Sequence, residues 1–389
     1  MTPPMCPAIT MDVTSLFGAQ LTGIGRHVAR TVDSVARLAP LRLITQLPRR
    51  QAQRSVPGAS LNRCTEIHLS PDDLPISAGD LHAWRRRLLC RPAGPRRDGG
   101  GGAIVHTFMR SPPAPGYARE IGILYDFTPL VVPATHREDV RRAFAAFCEN
   151  DLPKHDAFLA ISEATRFDAE WIGGVDRGRI RVAYPGPSQC VERHAWEGPA
   201  PMRRDFALVV STLEPRKNAG RVLDWFFATD RLPEGFELLW AGPNGWLQDR
   251  LGPDRPNPHG RRVRFLGMVS DAELCRLYQA ARFSVYASLY EGFGFPVLDS
   301  LRHGTPVLCA LNSSLREFAG PGVHFFDAGD TSSMDAAHDS LRQAGMTPIA
   351  RPDLEQACSW ERCGQALVDL CLQDRDHPRK ISEEIAWSG

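Results

Sequence analysis

The sequence predicts an α/β protein built from parallel sheets that are covered by helices on both faces. Three observations support this prediction. The chain has 389 residues, 43% hydrophobic and 23% charged, which suits about two or three globular domains. Short apolar segments alternate with segments of helical periodicity, as they do in parallel sheets. A stretch rich in proline and charge, residues 187–204, separates two such halves.

The first half contains strand-like segments at residues 8–13, 103–106, 121–126, 156–162 and 181–186. The first segment is followed by the glycine-containing stretch 22–26, and we expect this loop to lead into a helix through Val28 and Val32. Ser162 stands where its hydroxyl can cap a helix that begins at Glu163. In the first half we therefore expect strands that are followed by loops and helix N-termini. Ligand-binding sites in open α/β sheets lie at such strand ends.

The second half repeats this alternation, with strand-like segments at residues 206–211, 236–241, 263–266, 283–287 and 306–309. Ser270 and Glu273 form the spacing of a capping box at one of the intervening helices. We expect a first domain over residues 1–190, a linker over 191–204, a second domain over 205–375 and a tail over 376–389.

Composition excludes several classes of protein. A formal net charge of +1 argues against general nucleic-acid binding. The ten cysteines contain no C-x-x-C pair, so we expect reduced thiols and no paired metal-ligand spacing. The first 15 residues show no basic start followed by an apolar run, and no segment reaches about 18 uninterrupted apolar residues. We therefore expect a cytoplasmic protein without a membrane span.

The segment from Glu291 to Asp299 carries the strongest functional pattern. Gly292 and Gly294 let the backbone approach a ligand closely, and Pro296 suits the first position of a helix. The free N–H groups at the start of that helix favour an anion such as a diphosphate, while the two acids can accept hydrogen bonds from sugar hydroxyls. The pattern predicts a nucleotide-sugar pocket; a surface turn with two solvated acids is the alternative.

A second pattern lies in the loop after the predicted strand 206–211. Arg216 and Lys217 follow Glu214 and Pro215 at the carboxyl end of this strand, where open α/β sheets bind ligands. Arginine and lysine are the usual partners of a diphosphate. We expect Asn218 to cap the following helix. The alternative is an exposed loop with two solvated cations.

These two patterns resemble the retaining glycosyltransferases of family 4, or group 1, whose GT-B fold has two Rossmann-like domains facing each other across a cleft. The likeness is strongest over residues 205–320. It implies that Glu291 contacts the transferred sugar, that Asp299, in place of the family's second glutamate, holds the ribose, and that Arg216 and Lys217 neutralise the donor phosphates. The donor-binding residues implied in this way are Gly23, Gly25, Arg216, Lys217, Glu291, Gly292, Phe293, Gly294, Phe295 and Asp299.

The resemblance also indicates acceptor-side candidates. Tyr125 and Asp126 stand where relatives carry a His-Asp pair, so Tyr125 replaces a histidine that touches the donor sugar in many of them. Asp126 would orient the acceptor hydroxyl or relay its proton; a turn cap is the alternative. His106 is a second candidate, against a structural histidine, and Arg26 is an acceptor or phosphate contact. The C-terminal segment from Trp360 resembles one that packs back on the first domain.

The resemblance implies transfer of a hexose from a nucleotide-sugar to a glycan or lipid-linked glycan in surface polysaccharide or lipopolysaccharide biosynthesis, with the anomeric configuration retained. Likeness to bacterial polysaccharide mannosyltransferases favours GDP-mannose; a UDP- or dTDP-sugar, a phosphorylase of the same architecture and a catalytically silent scaffold are the alternatives. The only Asp-x-Asp spacing, Asp374 and Asp376, lies near the C-terminal end and outside both patterns, so we expect no metal and no cofactor. The catalytic residues on this interpretation are Asp126, Arg216, Lys217 and Glu291.

The stretch Arg85–Arg97 is rich in arginine and is followed by four consecutive glycines. It is either a solvated loop or a surface that contacts anionic lipid, since each cation near such a membrane contributes on the order of 1 kcal/mol. Trp84, Leu88 and Leu89 would form the apolar part of that contact. The second interpretation places the protein peripherally on the inner face of the cell membrane.

Overall fold

The computed structural model describes residues 9–17, 23–44, 67–68, 102–110, 117–188, 203–245, 256–345 and 350–373. These residues form two compact units. The first unit takes its described residues from 1–125, 143–186 and 358–386, and the second takes them from 126–142 and 187–357.

The first unit is built on a seven-stranded sheet with the strand order β3-β2-β1-β4-β5-β6-β7. The short edge strand β3 is antiparallel to β2, and the other pairs are parallel. The strands are β1 (Ile9–Asp12), β2 (Leu41–Ile44), β3 (Ile67–His68), β4 (Ala103–His106), β5 (Arg119–Leu124), β6 (Ala157–Ala160) and β7 (Ile180–Val182).

The second unit is built on a six-stranded parallel sheet with the order β10-β9-β8-β11-β12-β13. Its strands are β8 (Phe206–Val210), β9 (Glu237–Ala241), β10 (Arg262–Gly267), β11 (Phe283–Tyr286), β12 (Val307–Ala310) and β13 (Val323–Phe326). The strand order reverses between β8 and β11, and open α/β sheets bind ligands at such a point, beyond the carboxyl ends of the strands. The predicted α/β class with two parallel sheets is confirmed.

The described α-helices are α1 (Gly23–Ala36), α2 (Thr128–Val131), α3 (Glu138–Asn150), α4 (Glu163–Trp171), α5 (Ala219–Ala228), α6 (Asp271–Ala280), α7 (Phe295–Arg302), α8 (Thr331–Ala344), α9 (Pro352–Ala357) and α10 (Trp360–Leu372). The two predicted serine caps are confirmed. Ser162 Oγ accepts a hydrogen bond from the Thr165 N–H at 3.0 Å, and Ser270 Oγ accepts one from the Glu273 N–H at 3.2 Å. No described helix has the length and apolar character needed to cross a bilayer.

The ten predicted strands are present, within one to a few residues of their expected ends. The sequence reasoning missed β2, β3 and β13. Each is short, and polar residues interrupt the apolar run, as Arg42 does in β2 and His324 in β13. A strand of four residues with a central charge gives no apolar period, so the neighbouring strands that bury it decide its conformation.

The two units divide the chain differently from the predicted domains. Residues from Cys358 onward, expected in the second domain, belong to the first unit, where α10 lies against α1. Ser34 Oγ donates a hydrogen bond to the Trp360 carbonyl at 2.7 Å, and a Cβ built on Gly186 would lie 2.3 Å from Cδ1 of the Trp360 ring. Glycine is therefore required at 186. The expected return of this segment to the first domain is confirmed.

Residues 126–142 also differ from the prediction, because they cluster with the second unit although they were expected in the first domain. Cys275 is disulfide-bonded, so the expectation of reduced thiols is wrong for this residue. The basic stretch Arg85–Arg97 with Trp84, most of the predicted linker and the predicted tail lie outside the described residues.

Candidate functional site

Two loops at the reversal of strand order in the second unit bring the predicted site residues together. The loop after β8 forms a 3-10 helix, Pro215–Lys217, and the loop after β11 leads through Glu291 into α7. The Leu289 N–H donates a hydrogen bond to the Arg216 carbonyl at 2.9 Å, so the two loops are joined by their main chains. The arrangement places Arg216, Lys217 and Glu291 at one end of the sheet, as the sequence predicts.

Glu291 binds both cations. Its Oε2 accepts a hydrogen bond from Arg216 Nη1 at 2.8 Å, and its Oε1 accepts one from Lys217 Nζ at 2.5 Å. Burial by itself raises the pKa of the Glu291 carboxyl, but the charges of Arg216 and Lys217 outweigh burial and lower that pKa to about 2. Glu291 is therefore ionised at neutral pH, and its two oxygens fix the positions of both cations.

Arg216 is held from several sides. Its Nη2 donates to Glu214 Oε1 at 2.9 Å, and its Nη1 donates to the Tyr290 carbonyl at 2.9 Å. Burial lowers the pKa of the guanidinium, while the carboxylates of Glu291, Glu214 and Asp126 together raise it further than burial lowers it. Its Nε is buried and has no hydrogen-bond partner in the part of the chain that the structure describes. The guanidinium is thus rigidly placed and retains one unused donor.

The loop that carries Glu291 is anchored by two serines that sequence reasoning missed. The Glu291 N–H donates to Ser313 Oγ at 2.9 Å. Ser314 Oγ donates to the carbonyls of Glu291 at 3.0 Å and Phe293 at 2.7 Å. Both serines follow β12, the next strand along in the sheet, and two serines directly after an apolar strand are a signal that could have been used.

Gly294 and its neighbours shape the start of α7. Gly294 has φ of +115°, and a Cβ there would lie 2.8 Å from Leu315 Cδ2, so glycine is required for both reasons. Pro296 lies in the first turn of the helix, as expected. Phe293 is buried against Phe318, with ring centroids 5.3 Å apart, so it supports the loop from inside while Gly292, also buried, precedes it.

Asp299 lies inside α7 with its side chain buried. Its Oδ1 accepts a hydrogen bond from the Ser188 N–H at 2.9 Å. The carboxylate thus holds main chain at Ser188, just before the predicted linker, and its contact with a ribose stays a prediction. Asn218 precedes α5 at φ of +55° but does not cap it, because its Nδ2 donates instead to the Ala328 carbonyl at 2.8 Å.

Asp126 and His136, both in the segment 126–142, interact electrostatically with Arg216 of this cluster. Asp126 Oδ1 accepts hydrogen bonds from the N–H and hydroxyl of Thr128, at 3.0 and 2.6 Å, which is the turn-cap alternative. Its charge also acts on Arg216. Burial and the charge of Arg216 lower the pKa of His136, and Asp126 opposes them. Sequence reasoning missed His136; the only signal was its place ten residues after Asp126.

Phe295, another predicted donor-binding residue, is the first residue of α7 in the second unit. The other remaining candidates belong to the first unit. Gly23 and Gly25 form the first turn of α1, so the expectation that they lie in a loop before the helix is wrong; Arg26, in the same turn, is exposed. His106 is fully buried, 3.2 Å from Glu120 Oε2, which is the position of a structural histidine.

Tyr125 meets a histidine that sequence reasoning missed. Its hydroxyl lies 3.2 Å from Nδ1 of His27, and the two rings make an edge contact at 5.1 Å. Burial lowers the pKa of His27 to about 3 and raises that of Tyr125. Both side chains are therefore neutral near pH 7, and the acceptor-side role of Tyr125 stays a prediction.

The arrangement in the second unit suits a large anion. Arg216 and Lys217 are fixed beside the N-terminus of an eight-residue helix, whose free N–H groups add partial positive charge. Among the described residues, no group of three or more histidine, cysteine or acidic side chains is arranged to hold a metal ion. The fixed cations and the start of the helix can oppose the charge of a diphosphate.

Comparisons with known proteins agree with this geometry. Residues 191–354 match the family described as Glycosyl transferases group 1. The chain is 29% identical over 378 residues to the O-antigen chain mannosyltransferase B of Escherichia coli, with 88% of this chain and 94% of that protein covered.

Solved structures show the same fold. HepE of Anabaena, in complex with UDP and glucose, matches with a TM-score of 0.58 at 13% identity, over 93% of this chain and 98% of HepE. WaaG, a glycosyltransferase involved in lipopolysaccharide biosynthesis, matches with a TM-score of 0.52 at 17% identity, over 93% and 95%. Residues 191–354 are therefore similar to a group 1 glycosyltransferase domain, and the chain has the GT-B fold.

Proposed function

We propose that the protein is a retaining hexosyltransferase that moves mannose from GDP-mannose to a glycan or lipid-linked glycan in surface polysaccharide biosynthesis. The observation that carries the proposal is the buried Glu291, which holds Arg216 and Lys217 beside the start of α7. The choice of sugar and pathway is supported by the similarity to an E. coli protein named O-antigen chain mannosyltransferase B.

In this proposal the second unit binds the donor. When the bond between the sugar and the diphosphate breaks, negative charge grows on the departing phosphate oxygens. Arg216 and Lys217 are already oriented, so they stabilise that charge without reorganising at the moment of reaction. The fixed cations supply the counter-charge that a metal ion provides in other transferases, so the proposed enzyme is metal-independent and needs no cofactor.

Glu291 has a positioning role that the geometry defines. Each of its oxygens serves one cation, so the carboxylate sets the spacing between Arg216 and Lys217. A ligand diphosphate that draws on both cations would weaken these ion pairs and free carboxylate lone pairs for a sugar hydroxyl. Contact of Glu291 with the transferred sugar and its charge pairing are therefore compatible.

The acceptor side of the proposal assigns the first unit to the acceptor and Asp126 to the orientation of its hydroxyl. The Asp126 carboxylate accepts a hydrogen bond from the Thr128 N–H and interacts electrostatically with Arg216, so it is held in place. Retention follows if the acceptor attacks from the face that the diphosphate leaves, with a departing phosphate oxygen taking the acceptor's proton. Tyr125, Arg26 and the ribose contact of Asp299 complete the proposed set.

Two alternatives share this site. A UDP- or dTDP-sugar would use the same diphosphate cluster, and the structural relative HepE is known in complex with UDP and glucose. A catalytically silent scaffold would retain the fold without binding a nucleotide. The intact Glu291, Arg216 and Lys217 support donor binding over a silent role.

A thermal-shift screen against GDP, UDP, dTDP and ADP tests the donor. We expect GDP to raise the melting temperature selectively, since a ligand at about 100 times its dissociation constant adds about 2.7 kcal/mol to the folded state. A selective shift with UDP or dTDP would move the proposal to the alternative donor. No shift with any of the four nucleotides would leave the silent scaffold as the better account.

We further propose that the protein works in the cytoplasm at the inner face of the membrane, through Arg85–Arg97. Vesicles that contain anionic lipid should sediment the wild-type protein at low salt, and less of it at high salt. A variant with Arg85, Arg86 and Arg87 changed to glutamine should stay in the supernatant, while uncharged vesicles serve as the control. Equal recovery of wild type and variant would remove this contact.

A further inference from the structure

The charges of Arg216 and Asp126 both act on the ring of His136. His136 ends the 3-10 helix Pro133–Thr135, where its N–H donates to the Pro133 carbonyl at 3.1 Å. This main-chain bond fixes its backbone. The segment belongs to the second unit, together with Arg216 and Lys217. His136 therefore belongs to the same unit as the cation cluster, the name used here for Arg216 and Lys217.

The ring of His136 has an unused nitrogen. Its Nε2 is buried and makes no hydrogen bond to any described residue. The Nε of Arg216 is also buried and also makes no hydrogen bond to a described residue. A buried polar atom without a partner costs about 1–3 kcal/mol, so two of them, in residues that interact electrostatically, call for an explanation. A ligand with several acceptor oxygens would satisfy both.

The charges around His136 explain why it is neutral without a ligand. Burial lowers its pKa first, and the neighbouring Arg216 lowers it further, while Asp126 opposes both. At neutral pH the imidazole therefore carries no proton on one nitrogen and adds no repulsion to the cluster. A bound diphosphate would reverse this balance, because its negative charge offsets that of Arg216 and favours the imidazolium.

We propose that His136 is a third cationic ligand of the donor diphosphate, which it binds as an imidazolium after taking up a proton when the nucleotide arrives. This inference rests on the proposed function. The protonated ring donates a charge-assisted hydrogen bond to a phosphate oxygen, beside those of Arg216 and Lys217. His136 thereby links nucleotide affinity to pH, and it releases that proton when the diphosphate leaves.

The sign of the pH effect follows from linkage. Nucleotide affinity is highest where His136 is already protonated and falls as pH rises through the pKa that His136 has in the complex. Between the pKa of the free protein and that of the complex, binding takes up as much as one proton. Nearby carboxylates raise the pKa of Arg216, so this residue stays charged throughout the range and does not account for the uptake.

Calorimetric titration of the full-length protein with GDP, in two buffers of different ionisation enthalpy at one pH near 7, measures the proton uptake. If the thermal-shift screen favours another nucleoside diphosphate, that nucleotide replaces GDP. We expect a net uptake in the wild type that is lost in His136→Gln, together with an affinity about tenfold weaker or more, as for a lost hydrogen bond to a charged group.

His324→Gln is the matched control. His324 lies on β13 of the same unit, burial also lowers its pKa, and its ring is 2.9 Å from Ser340 Oγ, away from the cation cluster. This variant should bind GDP like the wild type, with the same proton uptake. Urea denaturation of both variants separates a loss of binding from a loss of folding.

Three results would overturn the inference. If proton uptake persists in His136→Gln, the proton goes to the phosphate or to another residue. If the wild type binds the nucleotide with no proton uptake and the variant binds it equally well, His136 is not a ligand, although the proposed donor site stands. If no nucleotide binds to the wild type, the inference and the proposed function fail together.

Discussion

Replacing Lys217 with alanine is expected to lower kcat about 10²- to 10³-fold, the usual effect of removing one preorganised group that stabilises a developing negative charge. The substitution should have a smaller effect on folding. Glu291 loses one partner but keeps Arg216 at 2.8 Å, so its carboxylate remains paired. Transfer of sugar from the donor, followed by product chromatography, measures the rate, and urea denaturation measures the free energy of unfolding.

Arg216→Ala makes a useful contrast to Lys217→Ala. Arg216 bonds to both Glu214 and Glu291, so its removal leaves two buried acids with weakened pairing. Breaking a buried ion pair by removing one partner costs about 3–5 kcal/mol, and this variant should therefore unfold far more easily. Lys154→Ala, at an exposed site in the first unit, is the control. For Lys217→Ala, an unchanged kcat would contradict the prediction that Lys217 stabilises the charge on the departing phosphate.

Lowering the pH is expected to destabilise the protein through His27. The folded pKa of His27 is about 3 because of burial, while its ordinary value is 6.5. Between these values the unfolded chain binds a proton that the folded protein does not bind. The contribution of neutral His27 to the free energy of unfolding is therefore fully present above about pH 6.5. Below that pH the free energy of unfolding falls by about 1.4 kcal/mol per pH unit, and the total loss near pH 3 is roughly 4–5 kcal/mol.

The difference between wild type and His27→Gln isolates this contribution, because acidic groups act on both proteins alike. The glutamine side chain can accept the hydrogen bond from Tyr125, but it does not take up a proton in this pH range. The variant should gain about 1.4 kcal/mol on the wild type for each unit from pH 6 to pH 4 in urea denaturation. For His259→Gln, at an exposed position, the curve of unfolding free energy against pH should run parallel to that of the wild type. Parallel curves for His27→Gln as well would contradict the prediction.

The candidate site could be predicted in part because its residues lie in short contiguous motifs. Arg216 and Lys217 adjoin each other after an apolar strand, and Glu291 adjoins its glycines, so the sequence located each group. The pairing of Glu291 with both cations spans 75 and 74 positions and has no signal in a single sequence. The sequence analysis therefore treated the acid as a sugar ligand and the cations as phosphate ligands, without the ion pairs that join them.

Tertiary packing decided the features that sequence reasoning missed. Gly23 and Gly25 look like a loop because glycine disfavours helices by about 1 kcal/mol, yet both lie in α1, where Val28, Val32 and Val35 are fully buried. His136 and His27 gain their significance from neighbours distant in sequence, Arg216 and Tyr125. Periodicity describes one segment at a time, and neither interaction is a property of one segment.

The contact between Gly186 and Trp360 has a consequence for how this chain can be rebuilt. Gly186 is the last residue of the first unit before the chain enters the long segment of the second, and Trp360 lies two residues beyond its return at Cys358. Because these points touch, residues 187–357 have adjacent ends, like an inserted domain. The family match, residues 191–354, lies within the same limits. The corresponding segment of a relative could therefore replace residues 187–357 without changing the distance between the two points of attachment. The segment 126–142, which belongs to the same unit, would have to be exchanged with it.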